Sequence, residues 1–178
     1  MTDHPDAIAD EFLLVRCQLG ESDALAQLIE RFDIRLQAYL GRMFGGMNED
    51  VHQEIWLSIL KGLGRLKRAD RLDAWVFTIA RRAVMTHLRR RYRRHTRMRA
   101  LPDEIPALMP AAIPIEIDTA LSVLPLDERE AVTLFYLLGQ SGKVVAEIQS
   151  IPEATVRSRL ARARKKMNEH LTVQETDE

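Results

Sequence analysis

The sequence predicts an all-α fold of two small helical domains, and three observations carry that prediction. Leu, Ala, Arg and Glu dominate the 178 residues and only eight are glycine, a composition that favours helices. Alternating apolar–polar runs of the kind that mark strands are few. Four of the seven prolines, Pro102, Pro106, Pro110 and Pro114, fall every four residues, and each forbids a regular helix through it. Residues 100–118 therefore read as a Pro-rich linker. It separates a domain over 1–99 from one over 119–171, with a short acidic tail at 172–178.

Taken in order, the first helix spans about Asp6 to Leu19. A second begins after Ser22, a suitable N-cap, and runs to about Phe44, where Gly45-Gly46 ends it. A third starts near Asn48, with Glu49 and Asp50 at its positive N-terminal end, and reaches about Gly62. The fourth starts at Asp70, has Asp73 three residues on, and extends to about Arg94. In the second domain a short helix near Thr119–Leu124 precedes Pro125. Asp127 and Glu130 have capping-box spacing and open a helix to about Leu138. Ser141 can cap a short helix from about Gly142 to Gln149. Pro152, suited to a first helical position, then starts a helix to about His170. Two helices joined by a turn of about four residues, the second of them basic, form a helix-turn-helix pattern.

Formal net charge is zero, but the charges are sorted. Residues 1–80 hold 13 acids and nine bases; residues 81–99 hold nine arginines and no acid. Residues 100–130 hold seven acids and one base, and 131–178 six acids and seven bases. Segregation of this kind speaks of partners. The single cysteine, Cys17, rules out an intramolecular disulfide. No apolar run approaches the roughly 18–20 residues that span a bilayer, and the acidic N-terminus has the wrong sign for a signal peptide. A cytoplasmic location is expected.

Three surfaces follow from the spacing. On the last helix Val156, Leu160, Ala163 and Met167 form an apolar stripe. Thr155, Arg159, Arg162 and Lys166 share another face, with Arg157 and Ser158 beside them, sized for a DNA major groove. The plainer reading is a basic helix end that complements the helix dipole. On the fourth helix Arg81, Met85, Arg89 and Arg93 align, with Arg82, Thr86 and Arg90 in the next row. Like charges at this spacing repel, and a polyanion relieves that repulsion through counterion release. Pairing with carboxylates of the linker or first domain is the alternative. Trp75, Phe77 and Tyr92 are candidates for base stacking, although aromatics so placed also serve as core. On the third helix Asp50, Gln53, Glu54 and Leu57 share a face opposite Val51, Ile55, Trp56, Ile59 and Leu60. An acidic stripe with a leucine suits a basic protein surface, and an ordinary solvated face is the other option.

His52 with Asp50 and Glu54 would be the start of a metal site, but no second ligand cluster, HExxH, P-loop or CxxC pair accompanies it. Neither catalysis nor a cofactor is expected.

These stretches, in this order, resemble the extracytoplasmic-function sigma factors of the sigma-70 family. The run Met47 to Leu57 resembles the family's helix that binds the clamp helices of the RNA polymerase largest subunit. Asp73 to Arg82, followed by His87-Leu88-Arg89-Arg90, is similar to its promoter-melting and minus-ten helix. Leu124 to Glu130 and Ile151 to Leu160 resemble the domain that reads the minus-thirty-five element. The resemblance covers about residues 22–171. It implies a sigma region 2 bundle and a sigma region 4 helix-turn-helix, with polymerase core and promoter DNA as partners. By it, Asp50, Gln53, Glu54 and Leu57 would meet the polymerase. Arg81, Arg82, Arg89, Arg90 and Arg93 would meet the minus-ten region, and Thr155, Arg157, Ser158, Arg159 and Arg162 the minus-thirty-five groove. An anti-sigma factor is a further implied partner. Three positions depart from the family pattern: Arg82 stands for Asn, Thr86 for Asp, and Ser150 for the glycine of the turn. A standalone helix-turn-helix regulator is the rival reading; it has no use for the acidic stripe.

Overall fold

The computed structural model describes residues 7–97 and 115–176. Residues 98–114 lie outside them, and with them most of the expected linker over 100–118. The described residues form α1 (Ala7–Gln18), α2 (Ser22–Phe44), α3 (Glu49–Gly62), α4 (Leu72–Arg97), α5 (Ile115–Ser122), α6 (Leu126–Val132), α7 (Gly142–Gln149) and α8 (Glu153–Thr176). Short 3-10 turns at Leu63–Arg65 and Ala69–Arg71 join α3 to α4. No strand occurs among the described residues, and none of their helices is long and apolar enough to cross a membrane.

The first body is built around α2. Ala24, Leu28, Phe32, Leu36, Tyr39, Leu40 and Met43 recur at helical spacing and are buried. Gly45, left-handed at φ 73°, ends the helix as expected. α3 opens on Asn48, whose side chain accepts the N–H of Val51 at 3.1 Å, and buries Val51, Ile55 and Ile59. α4 lays Leu72, Val76, Phe77, Ala80 and Val84 into the same core. Gly62 lets α4 close on the end of α3, because a Cβ there would stand 2.9 Å from the Trp75 ring.

Several boundaries differ from the sequence reading. Glu21, not Ser22, is the N-cap of α2 and makes no side-chain cap bond. Asp70 lies in a 3-10 turn, so α4 begins at Leu72. α5 begins at Ile115, inside the stretch assigned to the linker, and α8 runs on to Thr176. The expected capping box of Asp127 and Glu130 does not form: Pro125 is the N-cap of α6 and no side chain caps it. Both carboxylates are engaged elsewhere. α6 stops at Val132 and widens into a π-helical turn, Thr133–Leu137, which closes at left-handed Gly139 with the Gln140 N–H on Leu134 O at 2.9 Å.

The helix-turn-helix follows the pattern. Ser141 caps α7 by accepting the Val144 N–H. Ser150 is left-handed, φ 55° and ψ 46°, and Ile151 N–H closes on Ala146 O at 3.0 Å, a Schellman-type stop. The position that the family fills with glycine thus needs the backbone that glycine adopts without strain, and serine costs on the order of 1 kcal/mol there. Pro152 stands just outside α8 and its carbonyl accepts the N–H groups of Thr155 and Val156. Val156, Leu160 and Ala163 are buried as the stripe requires.

The two bodies are closed on one another. α7 lies against α4, α6 against α2, and one continuous apolar core runs through both.

Candidate polymerase-docking and nucleic-acid interfaces

α3 turns its two faces as its spacing dictates. Asp50, Gln53, Glu54 and Leu57 are exposed while Val51, Ile55 and Ile59 point inward. Trp56 is held to α2: its indole N–H donates to Asp33 at 2.9 Å. His52 Nε2 lies 2.9 Å from the same oxygen, and Gln37 donates to the other carboxylate oxygen at 2.6 Å. His52 is thus part of the clamp that fixes α3 on α2. Leu60, expected on the buried face, is exposed beside Leu57. It falls at the border of the apolar arc, where periodicity decides poorly.

α4 brings most of the predicted arginines to the surface. Arg82, Arg89, Arg90, Arg93 and Tyr92 are exposed. At 100° per residue, Trp75, Arg82, Arg89 and Arg93 share one face; Trp75 is half-buried against Gly62. Phe77 is fully buried and meets Tyr39 edge-on, ring centroids 5.9 Å apart. It belongs to the core, so base stacking by Phe77 is corrected: its place on the inward arc of α4 leaves no face for a base. A further basic group is not anticipated by the sequence reading. Lys61 in the last turn of α3 and Arg65, Lys67 and Arg68 in the connection to α4 are exposed. Their spacing is irregular and so carries no periodic signal.

Arg81 differs from its neighbours. Its Nε donates to Glu130 of α6 at 3.0 Å. Glu130 has no exposed surface, and it also accepts from Tyr39 Oη at 2.5 Å and from Gln149 Nε2 at 2.9 Å. Three donors satisfy the buried carboxylate, as burial of a charge demands. Burial and the neighbouring Glu130 push the Tyr39 hydroxyl well above its ordinary pKa. Around this centre Arg35 pairs with Asp73 at 2.7 Å, Gln140 donates to Asp73 at 3.2 Å, and Arg71 pairs with Glu147 at 2.8 Å.

On α8 the expected outward row is split. Arg159, with a side chain only 16% exposed, donates to Gln149 Oε1 and Asp127 Oδ2, both at 2.9 Å. Arg162 and Lys166 hold the two oxygens of Glu128 at 3.1 and 2.8 Å. Burial alone would raise the Glu128 pKa, but Lys166 and Arg162 outweigh it and hold the carboxyl below its usual range. Thr155 is half-buried. The open surface of α8 includes Ala154, Arg157, Ser158, Ala161, Arg164 and Lys165, and Arg162 stays more than half exposed despite its pairing with Glu128. Arg159 is therefore corrected to a bracing position between α8 and α6, because the acidic start of α6 lies across from it.

Comparison with known proteins follows the same division. Residues 28–94 match the family described as sigma-70 region 2, and residues 115–167 that described as sigma-70, region 4. RNA polymerase sigma factor CarQ of Myxococcus xanthus is 32% identical over 162 residues, covering 85% of this chain and 91% of its own. ECF RNA polymerase sigma factor SigC of Mycobacterium tuberculosis is 33% identical over 135 residues, 73% of this chain and 72% of its own. Among solved structures, the sigma factor RpoE in complex with the anti-sigma factor NepR from Bartonella quintana has a TM-score of 0.76. It is 26% identical and covers 84% of this chain and 97% of its own. CnrH in complex with the cytosolic domain of CnrY has a TM-score of 0.69 at 25% identity, over 93% and 98%.

Proposed function

Since the chain belongs to the extracytoplasmic-function sigma factors of the sigma-70 family, we propose that its exposed faces divide polymerase binding from promoter binding. A sigma factor of this family binds RNA polymerase core and directs promoter recognition and transcription initiation, and that is this chain's function. The residue roles are the proposal. Asp50, Gln53, Glu54 and Leu57, extended by Leu60, dock on the clamp helices of the polymerase largest subunit. Arg82, Arg89, Arg90 and Arg93, with Trp75 and Tyr92, hold the minus-ten region and its opened strand, joined by Arg81 once it is freed from Glu130. Arg157 and Ser158 read the minus-thirty-five groove; Arg162 reaches phosphate if it leaves Glu128. Residues 1–99 thus form the polymerase and minus-ten unit, and 119–171 the minus-thirty-five unit.

The observation that carries this reading is that the acidic row of α3 and the arginine row of α4 are both exposed, on two separate helices whose inward faces share one core. An anti-sigma partner is proposed too, since the solved RpoE and CnrH structures are such complexes. A cytoplasmic location follows from the polymerase.

The test is assembly with purified core polymerase followed by transcription from a supercoiled template. Asp50→Arg with Glu54→Arg should abolish assembly while circular dichroism and unfolding midpoint stay near wild type. Assembly at wild-type affinity would refute the docking assignment.

A further inference from the structure

Asp33 of α2 holds the docking helix at two points. Its Oδ1 accepts the Trp56 indole N–H at 2.9 Å and lies 2.9 Å from His52 Nε2. The two α3 nitrogens stand 3.2 Å from each other, so all three groups meet at one place. Oδ2 accepts from Gln37 Nε2 at 2.6 Å, one turn further along α2, which fixes the carboxylate with its other oxygen toward α3. Asp33 is itself held still, because Phe32 and Leu36 beside it on α2 have no exposed surface. An acceptor anchored in the core thus grips two consecutive turns of α3.

Where those grips fall on α3 decides what they do. At about 100° per residue, His52 and Trp56 stand about 100° and 140° round the helix from Val51, just past the buried row of Val51, Ile55 and Ile59. Asp50, Gln53, Glu54 and Leu57 occupy the arc from about 200° to 300°. A row of aliphatic side chains resists lifting of the helix but not rolling, because burial has no direction. Hydrogen bonds do have one and weaken steeply off line, so two of them to one fixed oxygen stop the roll. The tolerance is small. A roll of about 20° moves a group about 6 Å from the helix axis by about 2 Å, enough to break a charged hydrogen bond of about 2.8 Å.

We infer that Asp33 is a positioning residue for polymerase binding: through His52 and Trp56 it sets the rotation of α3, and so the angle at which Asp50, Gln53, Glu54 and Leu57 meet the polymerase. The inference rests on the reading of that row as the docking face. Asp33 acts from behind α3. Its oxygens are taken by Trp56, His52 and Gln37, and the residues it grips directly precede Gln53 and Leu57 in the chain.

The experiment uses the full chain and purified core polymerase, with the dissociation constant read at a temperature where circular dichroism shows every variant folded. Asp33→Ala should weaken core binding about tenfold, within the range that groups sharing one network show. Asp33→Asn keeps an oxygen for Trp56 and His52, and the Gln37 amide turns over to meet the new amide group. It should bind within about threefold of wild type. Trp56→Phe keeps a ring and loses the N–H, and should fall between the two. Ile59→Val loosens the buried row without touching either grip; it should lower the unfolding midpoint and leave core affinity unchanged. Affinity for single-stranded DNA should hold in all four. In a double-mutant cycle, Asp33→Ala should cost much less affinity once Glu54→Ala has removed a docking group. If Asp33→Ala does not fold, Trp56→Phe takes its place in the cycle. Wild-type core affinity in Asp33→Ala and Trp56→Phe, or a loss that Ile59→Val reproduces, overturns the positioning role. Strictly additive losses in the cycle overturn it too. In those cases the docking reading stands as long as Asp50→Arg with Glu54→Arg abolishes assembly. If that charge reversal leaves assembly intact, the docking reading fails and the positioning role fails with it.

Discussion

α4 and α8 are both long, basic and mounted on an apolar stripe, yet their cations have different fates. In α8 the polar face looks onto α6, and Asp127 and Glu128 take up Arg159, Arg162 and Lys166. In α4 the cations past Arg81 have no acid from the chain set across them among the described ion pairs, and Arg82, Arg89, Arg90 and Arg93 project into solvent. The difference lies in the neighbours. α6 opens with three carboxylates within four residues, and the helix-turn-helix fold lays α8 across it. A cation count identifies a basic helix; only the opposing element decides whether the cations brace the fold or await a ligand.

The largest expected effect tests the aromatic part of that contrast. Phe77 is core and Trp75 lies on the arginine face. Phe77→Ala should lower stability by about 3–5 kcal/mol, as truncation of a buried aromatic does, read from the denaturant midpoint. Trp75→Leu should lose far less stability and should instead weaken binding to opened promoter DNA. Equal destabilisation by both would place Trp75 in the core as well and remove it from the nucleic-acid face.

The arginines themselves are tested by salt. Replacing Arg82 and Arg89 with Ala should leave the fold within about 0.5 kcal/mol of wild type, as surface changes do. The slope of log affinity against log salt on single-stranded DNA should fall by about 1.4, or about 0.7 for each phosphate no longer neutralised. Arg159→Ala should behave in the opposite way. Stability falls because Asp127 and Gln149 lose their partner, and the salt slope barely moves. If Arg159 and Arg82 change the slope alike, the assignment of one to bracing and the other to DNA is wrong.

Much of this was legible in the residues. Asn48, Gly45 and Ser141 mark helix ends by local chemistry, and the structure uses each as its type suggests. The apolar stripe of α8 and the exposed face of α3 follow from spacing alone. What spacing could not supply was the partner of each polar side chain. Asp127 and Glu130 look like a capping box because their separation is right. In the fold they meet Arg159, Arg81, Tyr39 and Gln149, which lie far along the chain and come together only after two bodies close. Leu60 departs from expectation for a related reason: a position at the edge of an arc is settled by the neighbouring helix.

A smaller effect isolates backbone strain from side-chain partnership in the turn that sets α7 against α8. Ser150 is the one non-glycine residue with positive φ among those described, its side chain makes none of the described hydrogen bonds, and it is exposed. Ser150→Gly should therefore stabilise the chain by up to about 1 kcal/mol through relief of the left-handed penalty, less what glycine adds to the flexibility of the unfolded chain. A loss of stability would mean that serine restrains the turn more than it strains it.

The smallest effect is electrostatic and appears only in acid. Glu128 is held below the usual carboxylate range by Lys166 and Arg162 against the opposing pull of burial. A carboxyl whose folded pKa is depressed binds its proton more tightly in the unfolded chain. Its contribution to stability is therefore complete above the unfolded value and is lost as pH falls through the folded one. Both cations are substantially exposed, with side chains 56% and 41% accessible, so solvent and salt screen the pair and the contribution is a modest fraction of what a buried bridge would supply. Glu128→Gln keeps the shape and removes the charge. It should leave stability nearly unchanged at low pH, reduce it slightly near neutrality, and flatten the acid limb of the stability–pH curve. The same variant frees Arg162 and Lys166, so its affinity for duplex DNA should rise modestly at low salt even as the fold weakens. Stability lost equally at every pH would show that Glu128 acts through packing, and the bracing role given to α6 would then rest on Asp127 alone.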